Sequence, residues 1–206
     1  MDSSVEARFA ADKDALRKQY RAARKNLPAE EREAQMKATT GHIASWLRRN
    51  AQHKAFTSVL PYGAEPPLMP FMEEMHAHGY RILVPITEPE RQLSFTEWKP
   101  GVAMERSPVA PIDEPVGQRV DYTEMARVDV MLVPAQLIDD QGGRMGQGGG
   151  YYDRFLEKVR SLPHAPKLYA VVFDHEFVPT GTFPVEEFDQ RVDGVFTSAG
   201  LTQFDR

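Results

Sequence analysis

At 206 residues, with 41% hydrophobic and 27% charged side chains, the chain can bury the core of one domain and is ordinary in composition for a globular protein. Twenty-five basic against thirty acidic residues leave a net charge of -5, which argues against a general nucleic-acid or membrane-surface binder. The absence of cysteine excludes disulfides, thiolate nucleophiles and thiolate metal sites, leaving only oxygen and imidazole ligands.

Residues 1–10 carry no clear pattern and are expected to be a loosely ordered extension of a single domain. They lack the basic start and apolar run of a signal peptide, and "VMLVPA" and "YAVVF" are too short to span a bilayer, so a soluble cytoplasmic protein is expected. From Asp12 a helical period sets in, with Leu16, Tyr20, Ala23 and Leu27 on one stripe until Pro28. A second helix follows through Met36, Thr40, Ile43 and Leu47. "FTSVLPY" reads as a short strand, residues 67–78 as a helix stopped by Gly79, and "YRILVPI" as the next strand. "LSFTEW" alternates like an outer strand, and residues 100–117 read as a long loop rich in proline and glycine. "VDVMLVPA" is apolar on both faces and belongs mid-sheet. The amphipathic helix "YYDRFLEKVRSL" and the strands "KLYAVVF" and "VDGVFT" complete an α/β domain with a largely parallel sheet. In that class ligands bind beyond the carboxyl ends of strands.

Between "VDVMLVPA" and that helix lies "GGRMGQGGGYYDRF", residues 142–155, in which six of the first nine positions are glycine. The run fits neither a P-loop, since Tyr151 and Tyr152 stand where Lys and Ser or Thr belong, nor a G-x-G-x-x-G dinucleotide fingerprint. Bare successive amides followed by a helix N-terminus still make an anion-binding cradle. Arg144 within it has the guanidinium geometry to clamp phosphate oxygens. Asp153, in the first turn of the helix, fits two readings equally: a helix cap, or a Mg²⁺ ligand acting with bound phosphates. Lys13 and Arg17, one turn apart beside the apolar stripe, read either as snorkelling surface cations or as groups facing a site. Glu65, at the ligand-binding end of the first strand, reads either as a solvated loop acid or as a ligand contact. Asp189, Asp174 and His175 lie beside late strands and could supply a further metal ligand, whereas the histidine spacing gives no zinc pattern.

"RMGQGGGYYDRF" after "VDVMLVPAQLIDDQGG" resembles the signature of the 5-formyltetrahydrofolate cyclo-ligases, also called methenyltetrahydrofolate synthetases. "KDALRKQYRAARKNL" resembles that family's opening helix, "VLPYGAEPPL" its first strand and acid, "DEPVG" its mid-chain motif and "FDQRVDGVFT" its ending. The resemblance runs from Lys13 to Thr197 and departs from the commonest pattern at Gln147, Glu176 and Phe188. It implies a three-layer α/β/α fold like that of sugar-phosphate isomerases and CoA-transferase-like proteins. It also implies ATP- and Mg²⁺-dependent closure of 5-formyltetrahydrofolate to 5,10-methenyltetrahydrofolate with release of ADP and phosphate. Carried over by position, Lys13, Arg17 and Arg144 would serve the phosphoryl transfer. Together with Met145, Gly146, Gln147, Gly148, Gly149, Gly150, Tyr151 and Tyr152 they would bind ATP. Leu60, Glu65, Tyr151 and Tyr152 would face the folate, and Asp153 and Asp189 would meet Mg²⁺. Small-molecule partners only and a monomeric state are expected. The competing class is a binding or sensing protein that keeps the nucleotide cradle without turnover.

Overall fold

The computed structural model describes residues 3–205, with side chains from residue 12 onward. Helix α1 (Ser3–Asn26) is followed, across Pro28, by α2 (Ala29–Asn50). The helix thus starts nine residues before the apolar period does, so residues 3–10 are helical rather than the loose extension expected. A stretch with the Ala, Glu, Arg and Lys content of "SVEARFAADKDA" continues a helix on propensity without needing an apolar stripe.

The strands β1 (Ala55–Thr57), β2 (Arg81–Glu88) and β3 (Gln92–Trp98) come next, with α3 (Met69–Ala77) between the first two. A small antiparallel pair, β4 (Met104–Arg106) and β5 (Asp113–Pro115), occupies the region expected to be pure loop. Its exposed, largely polar outer strand carries no core-facing alternation that the sequence could reveal. Then follow β6 (Val130–Pro134), β7 (Leu137–Asp139), β8 (Arg144–Met145), α4 (Tyr151–Arg160), β9 (Lys167–Val171), β10 (Phe177–Val178), β11 (Gly194–Thr197) and β12 (Gly200–Gln203).

The main sheet has seven strands in the order β12-β11-β9-β6-β1-β2-β3, and only the two edge strands run antiparallel to their neighbours. Alternation along each central strand sorts its side chains onto two faces. Val130 and Leu132 of β6, with Tyr169 and Val171 of β9, join α2 and α3 through Ile43, Leu47, Phe71 and Met72. Met131, Val133, Leu168 and Ala170 join α4 on the other face through Phe155, Leu156 and Val159. The three-layer α/β/α architecture therefore follows from strands apolar on both faces.

Chain order reverses between β1 and β6: β2 and β3 extend to one side of β1, and β9, β11 and β12 to the other side of β6. A crevice opens outside the carboxyl ends of strands at such a switch point. A third, smaller apolar cluster lies off the main sheet, where Leu137, Met145, Val178 and Phe183 receive Leu16 and Tyr20 of α1. That cluster seats the N-terminal helix against the mouth of the crevice.

Candidate active site

A cavity of about 750 Å³ fills this crevice. Its walls include Leu60 beyond β1, Pro134 at the end of β6, the glycine run, and Lys13 and Arg17 of α1. Leu60, Glu65, Arg144, Tyr151, Tyr152, Asp153 and Asp189 also line it, so residues spread over most of the chain meet in one chamber. Met145 is the exception, being turned into the small cluster beneath α1.

The glycine run does not follow β6 directly, as the sequence suggested. The β7–β8 hairpin intervenes, and its turn is held by Asp139, whose Oδ1 accepts the amides of Gln141 at 2.9 Å and Gly143 at 2.7 Å. A Cβ on Gly143 would stand 2.3 Å from the other oxygen of Asp139, so only glycine fits that turn. The hairpin delivers Arg144 inward, where it is 4% exposed. Its Nη1 donates to the Pro134 carbonyl at 3.2 Å and its Nη2 to Asp153 at 2.6 Å, while the buried Nε finds no partner among the described residues. The guanidinium also lies 5.9 Å from the centre of the Tyr152 ring. Burial pushes the Tyr152 phenol above its ordinary value despite the nearby Arg144 charge, so it stays neutral through the physiological range.

Gly150 ends the run in the left-handed region at φ 68°, and no side chain caps α4, which leaves its first amides facing the cavity. The cap reading of Asp153 is thereby corrected: its carboxylate accepts from Arg144 and from the Gln190 amide at 3.1 Å, not from its own helix. At Gly148, φ 95°, an added Cβ would meet the Arg17 guanidinium at 3.2 Å, so the loop is bare where a cation approaches it.

Lys13 is 6% exposed and its Nζ sits between Glu186 at 2.7 Å and Asp189 at 2.6 Å, which rules out a snorkelling role. Arg17 donates Nε to the Gly146 carbonyl at 3.0 Å and pairs through Nη1 with Asp14 at 2.5 Å. Further along α1, Arg21 donates to Gln147 at 2.9 Å. Arg24 closes a buried pair with Glu176, with Nε at 2.5 Å, while its Nη2 reaches the Ala135 carbonyl at 2.8 Å. Every turn of the docked half of α1 therefore places one cation against the body.

Gln147 bridges the two ends of the chamber. Its Oε1 accepts from Arg21 and from Gln136 at 2.5 Å, and its Nε2 donates to Glu65 at 2.8 Å. Glu65 also accepts the Tyr62 amide at 3.1 Å, so it is an acid held in the chamber wall rather than a freely solvated one. Phe188, 65% exposed, stands at the rim.

Asp174 instead caps Ser198, accepting its amide at 2.9 Å, and His175 stacks on Tyr20 and Phe173; neither lines the chamber. Glu186 and Glu114 are wall residues that were not singled out from sequence. The signals were present in "EEFDQRVDG" and "DEPVG", but an acid in a loop carries no period to mark it.

Among the described residues no three His, Asp or Glu side chains cluster as a self-sufficient metal cage. Asp153 nonetheless touches the residue that follows Asp189, and both carboxylates border the cavity. Two carboxylates completed by phosphate oxygens and water are the donor set Mg²⁺ prefers, so these residues fit the ion as a partner of bound phosphates.

The model of the 5-formyltetrahydrofolate cyclo-ligase family matches residues 9–198. The chain belongs to this family. Among cyclo-ligase relatives, that of Escherichia coli is 29% identical over 147 residues, covering 70% of this chain and 78% of its own. That of Mycolicibacterium smegmatis is 28% identical over 181 residues, covering 84% and 87%. The solved 5,10-methenyltetrahydrofolate synthetase of Aquifex aeolicus superposes with a TM-score of 0.75 at 25% identity, covering 94% of this chain and 93% of that one. That of Mycoplasma pneumoniae superposes at 0.72 with 19% identity over 91% and 99%, a likeness of fold. Among the described residues no helix is long and apolar enough to cross a membrane.

Proposed function

We propose that the protein converts 5-formyltetrahydrofolate to 5,10-methenyltetrahydrofolate at the expense of ATP, within the single chamber between β1 and β6. The observation that carries this reading is the convergence of Lys13, Arg17, Arg144 and the glycine amides with Leu60, Glu65 and Tyr151 around one cavity of about 750 Å³. A formamide oxygen is a poor leaving group. Phosphorylating it lets N10 attack the formyl carbon and expel phosphate, so ATP becomes ADP and phosphate as the ring closes. Phosphoryl transfer needs positioning and positive charge more than a covalent nucleophile, and no activated nucleophile is required of this chain.

In this reading the amides of residues 146–150 and the open N-terminus of α4 hold the phosphates, while Arg144 and Arg17 neutralise charge as the group transfers. Lys13 exchanges its carboxylate partners for phosphate oxygens. Asp153 and Asp189 would hold Mg²⁺, which would supply charge neutralisation to the bound phosphates. Leu60, Glu65, Tyr151 and the neutral Tyr152 contact the folate. A monomeric state and cytoplasmic placement belong to the same proposal.

The test is to mix the protein with 5-formyltetrahydrofolate and MgATP and follow the near-ultraviolet absorbance of the methenyl product. Nucleotide binding with no product would instead favour a sensing protein that uses the same cradle.

A further inference from the structure

Glu114 on β5 lines the chamber, is 6% exposed and has no role in the reaction outlined above. Thr87 of β2 gives both its amide, at 2.7 Å, and its hydroxyl, at 2.6 Å, to Oε1 of Glu114. That hydroxyl has one proton, committed to the carboxylate, so the 2.9 Å contact between Thr87 and Ser107 is a donation from Ser107. The carboxylate is thus fixed in orientation by a short relay. Its other oxygen accepts from no described residue, and no described basic side chain pairs with it. That second oxygen is not sealed off within the protein but opens onto the chamber, where an arriving donor can complete it. Glu65, by contrast, has both oxygens engaged, by Gln147 and by the Tyr62 amide.

The surroundings of Glu114 point to the kind of group that completes it. Pro85 and Thr87 share one face of β2, Leu93 is the register partner of Thr87, and Ile112 precedes Glu114 by two residues. Pro85, Leu93 and Ile112 all line the chamber, giving an apolar slot with one acceptor set into its wall. A flat ring with adjacent N–H donors on one edge satisfies both features. An anion is repelled, and an alkyl group leaves the oxygen unpaired.

We infer that Glu114, not Glu65, receives the amino and ring-amide donors of the pterin, and so fixes which heterocycle the chamber accepts. This rests on the folate reading above. It leaves Glu65, tied to Gln147, to face the remainder of the folate nearer the nucleotide.

The test is a two-by-two binding cycle by calorimetric titration without turnover. The wild-type protein and Glu114→Gln, which keeps an acceptor for Thr87, are each titrated with 5-formyltetrahydrofolate and with its analogue bearing methyl in place of the 2-amino group. ATP is titrated separately. The substitution is expected to weaken folate binding on the order of 10- to 100-fold, with ATP affinity within twofold. The wild-type protein should discriminate between the two folates by a similar factor, and Glu114→Gln by little. Unchanged folate affinity, equal loss of folate and ATP, or undiminished discrimination in the variant each overturns the assignment. Should Glu114→Gln fail to fold, Glu114→Asp is judged by the same cycle. Loss of the underlying folate reading is separately visible, because the wild-type protein would then bind neither folate.

Discussion

The two ends of the chamber are built on opposite principles. At the phosphate end the cations are already spoken for: Lys13 by Glu186 and Asp189, Arg144 by Asp153, and Arg17 by Asp14 and a carbonyl. At the folate end the acids are gripped from behind by neutral donors, Thr87 for Glu114 and Gln147 with the Tyr62 amide for Glu65. In the proposed reading the side-chain cations of the first arrangement bind by exchange, a phosphate oxygen displacing a carboxylate at Lys13, while the bare amides of the glycine run receive phosphate without exchange. The second binds by addition, because the acceptors are already oriented. Charge-assisted exchange suits a group that must be held more tightly in transit than at rest, whereas pre-oriented acceptors suit recognition of a fixed shape.

Breaking the exchange end should have the largest effect. Lys13→Ala leaves Glu186 and Asp189 facing the transferring phosphoryl group uncompensated, and kcat is expected to fall about 100-fold while thermal unfolding confirms a folded protein. Asp153→Asn should shift the Mg²⁺ concentration for half-maximal turnover upward by about tenfold, read from magnesium titrations at saturating ATP. Chelation with EDTA should abolish turnover in both the variant and the wild-type protein. At the addition end, Glu65→Gln should raise KM for the folate roughly 5- to 10-fold and leave KM for ATP unchanged, since its oxygens are shared with protein donors. The smallest effect is the sharpest test of exchange. Glu186→Gln frees Lys13 of one competitor, so ATP affinity measured by titration should rise about threefold.

The sheet and its helices were legible because β6 is apolar at every position, β9 is apolar after Lys167, and α4 is amphipathic throughout. The glycine run was legible as a local composition that positive φ or a close approach requires. What was not legible was pairing. Nothing in "AARKNL" marks Arg24 as the buried partner of Glu176, 152 residues away, and nothing in "IDEP" marks Glu114 as anchored on Thr87. The β7–β8 hairpin escaped because its strands are three and two residues long, too short for any period. Asp153 was visible as an acid in a first turn, but only the fold shows that it serves Arg144 and the Gln190 amide rather than its own helix.

Helix α1 grips partners that lie far along the chain: Ala135 and Glu176 through Arg24, and Glu186 and Asp189 through Lys13. During synthesis it is therefore made before the partners it grips and is among the last elements to find its place, since its seat is incomplete until residue 189 has been made. Contacts of this separation are slow to form and are absent from any shorter intermediate. Its docking also carries Lys13 and Arg17 to the cavity wall, so the phosphate end is assembled only when nearly the whole sequence has folded. A chain clipped before residue 186 would lose both the seat of Lys13 and the strands β11 and β12, so the cavity wall and the edge of the main sheet stand or fall together.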